Sequence, residues 1–244
     1  TSNSEYNGTG KKLQVKPGVS SWRYITIGNM YTVCKNYNST LNSHMMKNDE
    51  WGAVAYLSKS KYGKQNEEVW INNSGSYITG SAGNSASAGS NTGTTNDYTS
   101  TQGVKASTTG NVYGVYDMSG GAWEYVAGYV NNGNGNLTSY GSSLVNGDAK
   151  TKNVYSKASS DNNTNNYNAN SGKYGDAVYE TSANGNTGNG SWYGDYSYFP
   201  YTGDPFFLRG GGLSYGTGAG VFYFYNISGD GVSYYSFRPV LVAL

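Results

Sequence analysis

The sequence predicts an α+β domain with two helices near its start, short strands in its second half and long irregular insertions. Three observations lead to this prediction. Apolar residues recur at helical spacing in two segments before Lys61. Apolar and aromatic runs of strand length recur after Gly110, and stretches rich in glycine, serine, threonine and asparagine separate these elements.

The composition limits the classes of function. Only 13% of the 244 residues are charged and the net charge is +1, which argues against a protein that coats nucleic acid. No apolar run reaches the roughly 18 residues of a membrane span, so direct membrane insertion is not expected. The chain holds 26 tyrosines and 36 glycines, and tyrosine with serine, glycine and asparagine dominates evolved binding loops. The tyrosines therefore indicate either a binding surface or a strand-rich fold.

The first regular elements are predicted to be helices. Residues 1–12 are polar and are expected to form an irregular lead-in. Apolar residues at helical spacing predict a helix over Gly28–Asn38. A second helix is predicted over Lys47–Ser58, where Asp49 and Glu50 suit the first turn because the helix dipole favours negative charge there.

The remainder of the chain alternates short strands with polar stretches. Residues 74–110 and 128–190 are predicted to be loop insertions. Within the second of these, residues 161–166 are Asp, Asn and Thr only, so we expect them to stay out of the core. Short strands are predicted on both sides of the glycine-rich turn in Asn111–Val126, and at Phe206–Gly211, Gly220–Phe224 and Ser236–Val242.

The sequence contains few residues of the types that catalytic sites use. Cys34 is the only cysteine, which excludes an internal disulfide framework and a multi-cysteine zinc site, and His44 is the only histidine, which argues against a Ser-His-Asp triad and a histidine-rich metal site. We interpret His44 as a structural residue. No spacing selects an acid–base pair among the carboxylates Asp117, Glu124, Glu180 and Asp204. We therefore expect a protein that is not an enzyme.

Three segments occur in an order that resembles a known family. They are Tyr116–Tyr125 (Tyr-Asp-Met-Ser-Gly-Gly-Ala-Trp-Glu-Tyr), Leu208–Gly211 (Leu-Arg-Gly-Gly) and Ser236–Pro239 (Ser-Phe-Arg-Pro). The ordered set resembles the formylglycine-generating-enzyme-like (sulfatase-modifying factor) branch of the C-type lectin fold. This resemblance implies that residues 13–244 form a single C-type-lectin-like domain in which the two polar stretches are insertions.

The sequence departs from this family at the residues that carry its chemistry. The oxidases of the family use a pair of cysteines between the Arg-Gly-Gly and Phe-Arg segments, and no cysteine lies in this interval here. The catalytic function is therefore not carried over, because soft thiolate ligands are missing. The opening strand of the family is not evident either, so we expect a further segment upstream.

The same resemblance implies one candidate ion site. Relatives can hold calcium with the glutamate that corresponds to Glu124 and with backbone carbonyls of residues 119–122, and oxygen ligands suit that ion. Alternatively, the Glu124 carboxylate caps turn amides. No other cofactor is expected.

Residues 212–235 use a restricted set of amino acids. They contain no Lys, Glu, Gln, Met, Trp, His or Arg. Replacing the adenines of an asparagine codon never yields Lys, Glu, Gln, Met or Trp, and it yields most of the residue types present here. The segment thus resembles the variable region of proteins diversified by a diversity-generating retroelement. The alternative is a glycine-rich strand segment whose tyrosines are ordinary strand formers.

The resemblance divides this region into fixed and variable positions. The implied framework is Arg209, Gly210, Gly211, Ala219, Gly220, Val221, Phe222, Phe224 and Phe237–Pro239. Its two arginines are expected to hold loop carbonyls or carboxylates through their forked donors. The expected ligand-binding residues, projecting from one exposed face, are Leu213, Ser214, Tyr215, Thr217, Tyr223, Tyr225, Asn226, Ile227, Ser228, Asp230, Val232, Ser233, Tyr234 and Tyr235.

The expected function is ligand binding by a receptor-binding protein or adhesin. Tyrosines would supply aromatic anchors, and the smaller polar residues would supply directional hydrogen bonds. The expected ligand is a protein or another cell-surface molecule, not nucleic acid, and the expected location is extracellular, on a virion or a bacterial surface. The alternative is a structural subunit of a phage tail or of a bacterial fibre or pilus, and a fibre with a variable tip would combine the two. A formylglycine-generating-type oxidase is the least favoured candidate.

Overall fold

The structure, a computed structural model, describes residues 12–91, 95–185 and 194–242. Predictions for the remaining positions, which include nearly all of the polar lead-in, lie outside the described residues. The described residues form the predicted α+β fold, in which a mixed seven-stranded sheet has one of the two longest helices on each face.

The two predicted helices are present. Helix α1 spans Ile27–Lys35 and helix α2 spans Asn48–Ser58. Glu50 lies in the first turn of α2, where its carboxylate accepts the backbone N–H of Lys47 at 2.9 Å. The Nε2 atom of His44 lies 2.7 Å from Oε1 of Glu50, which raises the pKa of the imidazole. The single histidine thus contacts the first turn of α2, and its interpretation as a structural residue stays a prediction.

The strands are short, and those of the C-terminal part confirm the prediction. Their bounds are β1 His44–Met45, β2 Trp123–Asn131, β3 Asn153–Ser156, β4 Asn184–Gly185, β5 Ser197–Tyr198, β6 Phe206–Gly210, β7 Gly220–Ile227, β8 Tyr235–Phe237 and β9 Pro239–Val240. The main sheet has the order β3-β2-β6-β7-β5-β4, and β8 also pairs with β2. Strand β6 is antiparallel to β2 and β7, whereas β3 and β8 are parallel to β2, and β5 is parallel to β7. Strands β1 and β9 form a separate antiparallel pair.

Both faces of the main sheet are buried. Along β2, Tyr125, Ala127 and Tyr129 face a core that includes α1, whereas Val126 and Val130 face a core that includes α2. This alternation follows from the two-residue repeat of a strand that is covered on both sides. Side chains in the central strands can therefore reach solvent only near the ends of the sheet.

The strand predicted directly before the glycine-rich turn is not formed. Residues 111–116 form turns and bends instead, and Val112, Tyr113 and Val115 are exposed, Tyr113 to 93%. The side chain of Asn111 accepts the backbone N–H of Tyr113 at 2.9 Å. Such a local hydrogen bond favours a turn over a strand, so the prediction from apolar residues was wrong here.

The described residues of 74–110 form turns, bends, isolated bridges and one 3-10 helix (Gly103–Ala106), whereas the described residues of 128–190 are more ordered than predicted. Strand β2 extends into the second stretch, and β3 lies within it. The same stretch contains three helices that were not predicted, α3 (Gly135–Ser139), α4 (Ser142–Val145) and α5 (Asn163–Ala169). The expectation of a long irregular insertion was thus wrong for this stretch. Among the described residues no helix has the length and apolar character to cross a membrane.

The asparagine-rich cluster at residues 161–166 also departs from expectation, because one of its members is fully buried. Asn166 has no exposed surface, and its Nδ2 donates to Oδ1 of Asp161 at 2.7 Å and to the carbonyl of Pro200 at 3.1 Å. Its Oδ1 accepts the backbone N–H of Ala158 at 2.8 Å. A buried amide whose hydrogen bonds are satisfied can pack in a core, and one of these partners, Pro200, lies too far along the chain to be predicted locally.

Candidate functional site

Arg209, a residue of the predicted framework, forms hydrogen bonds with a neighbouring loop. The side chain is fully buried in β6, and Nη2 donates to the carbonyl of Ala177 at 3.0 Å while Nη1 donates to the carbonyl of Asp176 at 3.3 Å. Its guanidinium carbon lies 5.6 Å from the ring centre of Trp51. Burial lowers the pKa of Arg209 to about 10, so the group keeps its charge at neutral pH. The prediction that it holds loop carbonyls is confirmed.

Arg238 joins the C-terminal segment to the glycine-rich turn. Its Nε and Nη2 donate to the two carboxylate oxygens of Glu124, and Nη1 and Nη2 donate to the carbonyls of Tyr116 and Asp117 at 3.1 and 3.0 Å. Both oxygens of Glu124 thus accept from Arg238 and not from turn amides, so the capping expectation was wrong, whereas calcium ligation by this carboxylate stays a prediction. Among the described residues no group of three His, Cys, Asp or Glu could hold a metal ion.

Two glycines, Gly220 of the predicted framework and Gly212 at the start of the segment proposed to vary, lie where no side chain fits. A Cβ atom on Gly212 would lie 2.3 Å from the Trp123 ring, and a Cβ atom on Gly220 would lie 2.1 Å from Oδ1 of Asp195. The other oxygen of Asp195 accepts the backbone N–H of Phe222 at 2.8 Å, so this carboxylate cannot move away without losing a buried hydrogen bond. These positions are fixed by close approach.

The predicted ligand-binding residues differ in how far their side chains are exposed to solvent. Those that are exposed are Ser214, Tyr215, Thr217 and Tyr234. Those that are half-buried are Leu213, Tyr225, Ile227, Ser228, Asp230, Val232 and Ser233. The structure therefore brings most of them to the surface near the end of β7 and in the loops on either side of it.

Three predicted ligand-binding residues are buried instead, and the expectation that they project from the surface was wrong. Tyr223 is 0% exposed, Asn226 is 4% exposed and Tyr235 is 8% exposed. Tyr223 and Asn226 lie in β7, where the rings of Tyr196 and Tyr215 pack against Tyr223 and Asp204 accepts a hydrogen bond from Asn226. The hydroxyl of Tyr223 accepts Nε1–H of Trp123 at 3.1 Å. These three side chains therefore pack beneath the exposed residues of this surface.

A continuous row of aromatic rings lies on this surface. Neighbouring ring centres are 5.3–6.4 Å apart, within the range of favourable edge-to-face and offset contacts. We call it the aromatic row, and its members in spatial order are Tyr201, Tyr198, Tyr225, Tyr196, Tyr215, Trp123 and Tyr234. All are exposed or half-buried.

Three members of the aromatic row, Tyr196, Tyr198 and Tyr201, were not found from the sequence. Tyr196 and Tyr198 flank Ser197, whose register partner in β7 is Phe224. The alternation of tyrosine with serine was a signal that both rings share one face of a strand. That this strand pairs with β7 could not be predicted, because the pairing is between segments far apart in the chain.

The loop between β7 and β8 is held through its backbone. Tyr125 Oη, the backbone N–H of Tyr24 and the guanidinium of Arg23 each donate to a carbonyl oxygen of this loop. The acceptors are, in the same order, the carbonyls of Asp230 at 2.9 Å, Val232 at 3.1 Å and Ser233. Since the contacts are to main-chain oxygens, they do not depend on which side chains the loop carries.

A separate cavity of about 900 Å³ lies beside the first described residues. Lys12–Pro17, Trp22, Tyr98, Tyr116 and Arg238 contribute to its lining. None of the predicted ligand-binding residues lines this cavity, so it and the candidate face are different surfaces.

Comparison of the sequence with protein-family models and with curated proteins finds no match. The function is therefore argued from the residues and the geometry of the candidate face.

Proposed function

We propose that this domain is a non-enzymatic binding protein whose C-terminal face, formed by residues 212–235, is diversified by a diversity-generating retroelement. The three ordered segments support a C-type lectin fold of the formylglycine-generating-enzyme-like type. The ligand is a protein or another cell-surface molecule. The domain acts outside the cell, on a virion or a bacterial surface, where it is carried by a larger assembly.

The proposal depends on one observation, the separation between positions that accept a new side chain and positions that do not. Gly212 and Gly220 have no room for a Cβ atom, and Arg209 is fully buried among carbonyls. Between these fixed points, Tyr215 is 40% exposed and Thr217 is exposed. Exposed loop residues on a rigid scaffold can change without unfolding the protein, which is what a diversified binding face requires.

The state of the single cysteine supports a function without thiol chemistry. Cys34 is 0% exposed, and burial raises the pKa of its thiol well above its usual value. A reactive or metal-binding cysteine is a thiolate in an accessible, electropositive site. Incubation of the purified protein with a cysteine-containing sulfatase peptide should therefore leave the peptide unchanged, and conversion to formylglycine would overturn the proposal.

Sequencing of this gene across related strains tests the proposal directly. Codon differences are expected at the exposed positions Ser214, Tyr215, Thr217 and Tyr234, with none at Gly212 or Gly220. The gene's neighbourhood should encode a reverse transcriptase and carry a near-copy of the segment in which these codons are AAC or AAT. Differences spread evenly along the gene, or no such near-copy, would contradict diversification.

A further inference from the structure

The aromatic row extends beyond the segment proposed to vary. Tyr196 directly precedes β5, Tyr198 belongs to it and Tyr201 follows it, and all three lie outside residues 212–235. They join the row through Tyr225, whose ring centre lies 5.9 Å from that of Tyr196 and 5.8 Å from that of Tyr198. The candidate face thus has a constant aromatic part beside its variable part.

The carboxylate of Asp204 lies beside the end of the row that carries Tyr201, and it interacts electrostatically with that of Asp230. The backbones of Asp204 and Tyr201 are joined by two hydrogen bonds, and Oδ2 of Asp204 accepts Nδ2–H of Asn226 at 3.4 Å. Asp230 accepts the hydroxyl of Ser228 at 2.8 Å. Partial burial and repulsion from Asp230 raise the pKa of Asp204. Within the described part of the chain neither carboxylate forms an ion pair.

A series of contacting aromatic rings, with carboxylates beside it that form no ion pair among the described residues, limits the chemistry of its ligand. Extended proline-rich peptides dock on aromatic-lined grooves because the polyproline helix is already ordered before it binds. Arginine or lysine in such a peptide can stack on tyrosine and form charge-assisted hydrogen bonds with a carboxylate. A neutral glycan could stack on the same rings, but it would leave both carboxylates without a cation.

We propose that the aromatic row binds an extended, proline-rich segment of a protein partner that carries a basic residue, with the basic group beside Asp204, which lies outside the segment proposed to vary. Tyr196, Tyr198 and Tyr201 then give every variant of the protein a common affinity for this type of segment. The residues proposed to vary adjust which segment is preferred. The inference rests on the proposed function in so far as both use the same face.

The test uses the whole protein and a synthetic polyproline peptide with arginine at every third position, measured by calorimetric titration. Three matched probes are the same peptide with glutamate for arginine, a glycine–serine peptide with the same arginines, and a neutral β-linked hexasaccharide. The wild-type protein should bind the proline–arginine peptide at least tenfold more tightly than each of these probes. Equal or tighter binding of the hexasaccharide, or no binding of the proline–arginine peptide, overturns the inference.

Substitutions locate the binding on the row. Tyr198→Ser should weaken binding of the proline–arginine peptide at least fivefold, because a central aromatic anchor is lost. Asp204→Asn should weaken it about fivefold and reduce its dependence on salt, since a charge contact is lost. The control is Tyr113→Ser, which removes a tyrosine that is 93% exposed and outside the row. Equal affinities of Tyr198→Ser and Tyr113→Ser would overturn the inference.

Loss of binding must be distinguished from unfolding of a variant, and failure of this inference from failure of the proposed function. Thermal unfolding of each variant shows whether it is folded, and Tyr201→Ser replaces Tyr198→Ser if the latter is not. Failure of the peptide experiment leaves the comparison of strain sequences unaffected, so the proposed function can hold without this inference. Conversely, peptide binding in a protein whose gene does not vary would remove diversification and retain the binding surface.

Discussion

Replacement of Tyr223 by alanine should destabilise the fold far more than replacement of Tyr215 by alanine. Both tyrosines lie in the segment whose composition indicates variability, but Tyr223 is 0% exposed and Tyr215 is 40% exposed. A buried tyrosine removes about 150–250 Å² from water, which at about 25 cal/mol per Å² corresponds to roughly 4–6 kcal/mol as an upper bound. We expect a loss of about 3–5 kcal/mol for Tyr223→Ala and of about 1 kcal/mol for Tyr215→Ala.

The hydroxyl contribution can be separated from that of the ring. Tyr223→Phe keeps the packing but removes the acceptor of the Trp123 indole N–H, a hydrogen bond of 3.1 Å. A net loss of about 1 kcal/mol is expected, because the indole is half-buried and water can take over part of the contact.

Urea unfolding followed by tryptophan fluorescence measures these differences. The midpoints should shift while the slope m stays constant, which shows that the unfolding transition is the same in each variant. If Tyr223→Ala and Tyr215→Ala differ by less than about 1 kcal/mol, the separation of supporting from exposed tyrosines is wrong. Tyr223 would then return to the set of surface residues that the sequence predicted.

Three further predictions follow from packing and charge. Gly212→Ala should destabilise by about 1–3 kcal/mol in urea unfolding, because its Cβ would overlap an indole ring, whereas Gly203→Ala, which meets no atom within 4 Å, should be near neutral. Arg238→Met should cost about 3–5 kcal/mol by leaving the buried Glu124 carboxylate unpaired, and the double variant with Glu124→Leu should be more stable than Arg238→Met alone; the reverse order would contradict this account of the pair. Burial raises the pKa of Glu68 from 4.5 to about 7, so its contribution to stability is present below pH 4.5 and is lost as the pH rises through about 7. The stability of the wild type relative to Glu68→Gln should fall over that window, and a difference that does not change with pH would show that the carboxyl group is not perturbed.

Local patterns were sufficient to predict the elements that depend on neighbours in the sequence. The helical spacing of apolar residues located α1 and α2, and the first-turn acid Glu50 indeed interacts with the backbone at the start of α2. The forked donors of Arg209 and Arg238 were expected to hold carbonyls or carboxylates, and they do. In these cases the physical cause lies in the residue type and its position in the motif.

Features that depend on distant partners could not be predicted in this way. Asn166 is buried because Asp161, Ala158 and Pro200 together satisfy its amide, and no local pattern reveals the last of these. Tyr223 has the residue type of a binding-surface tyrosine, and only its contacts with Trp123, Tyr196 and Tyr215 show that it is covered. The sequence therefore predicted the region of the candidate face better than the orientation of individual side chains in it.

The way in which the face is held explains how its side chains could change. The loop before β8 is held by hydrogen bonds from Tyr125, Tyr24 and Arg23 to its main-chain oxygens, so a new side chain in it does not remove its anchors. Tyr223 differs, because the side chain itself forms part of the packing. A retroelement would mutate such a codon as readily as an exposed one, but most products would lose several kcal/mol of the roughly 5–15 kcal/mol that keep a domain folded. Functional diversity should therefore concentrate at the exposed positions, and the buried ones should be restricted to large side chains by the folding of the domain.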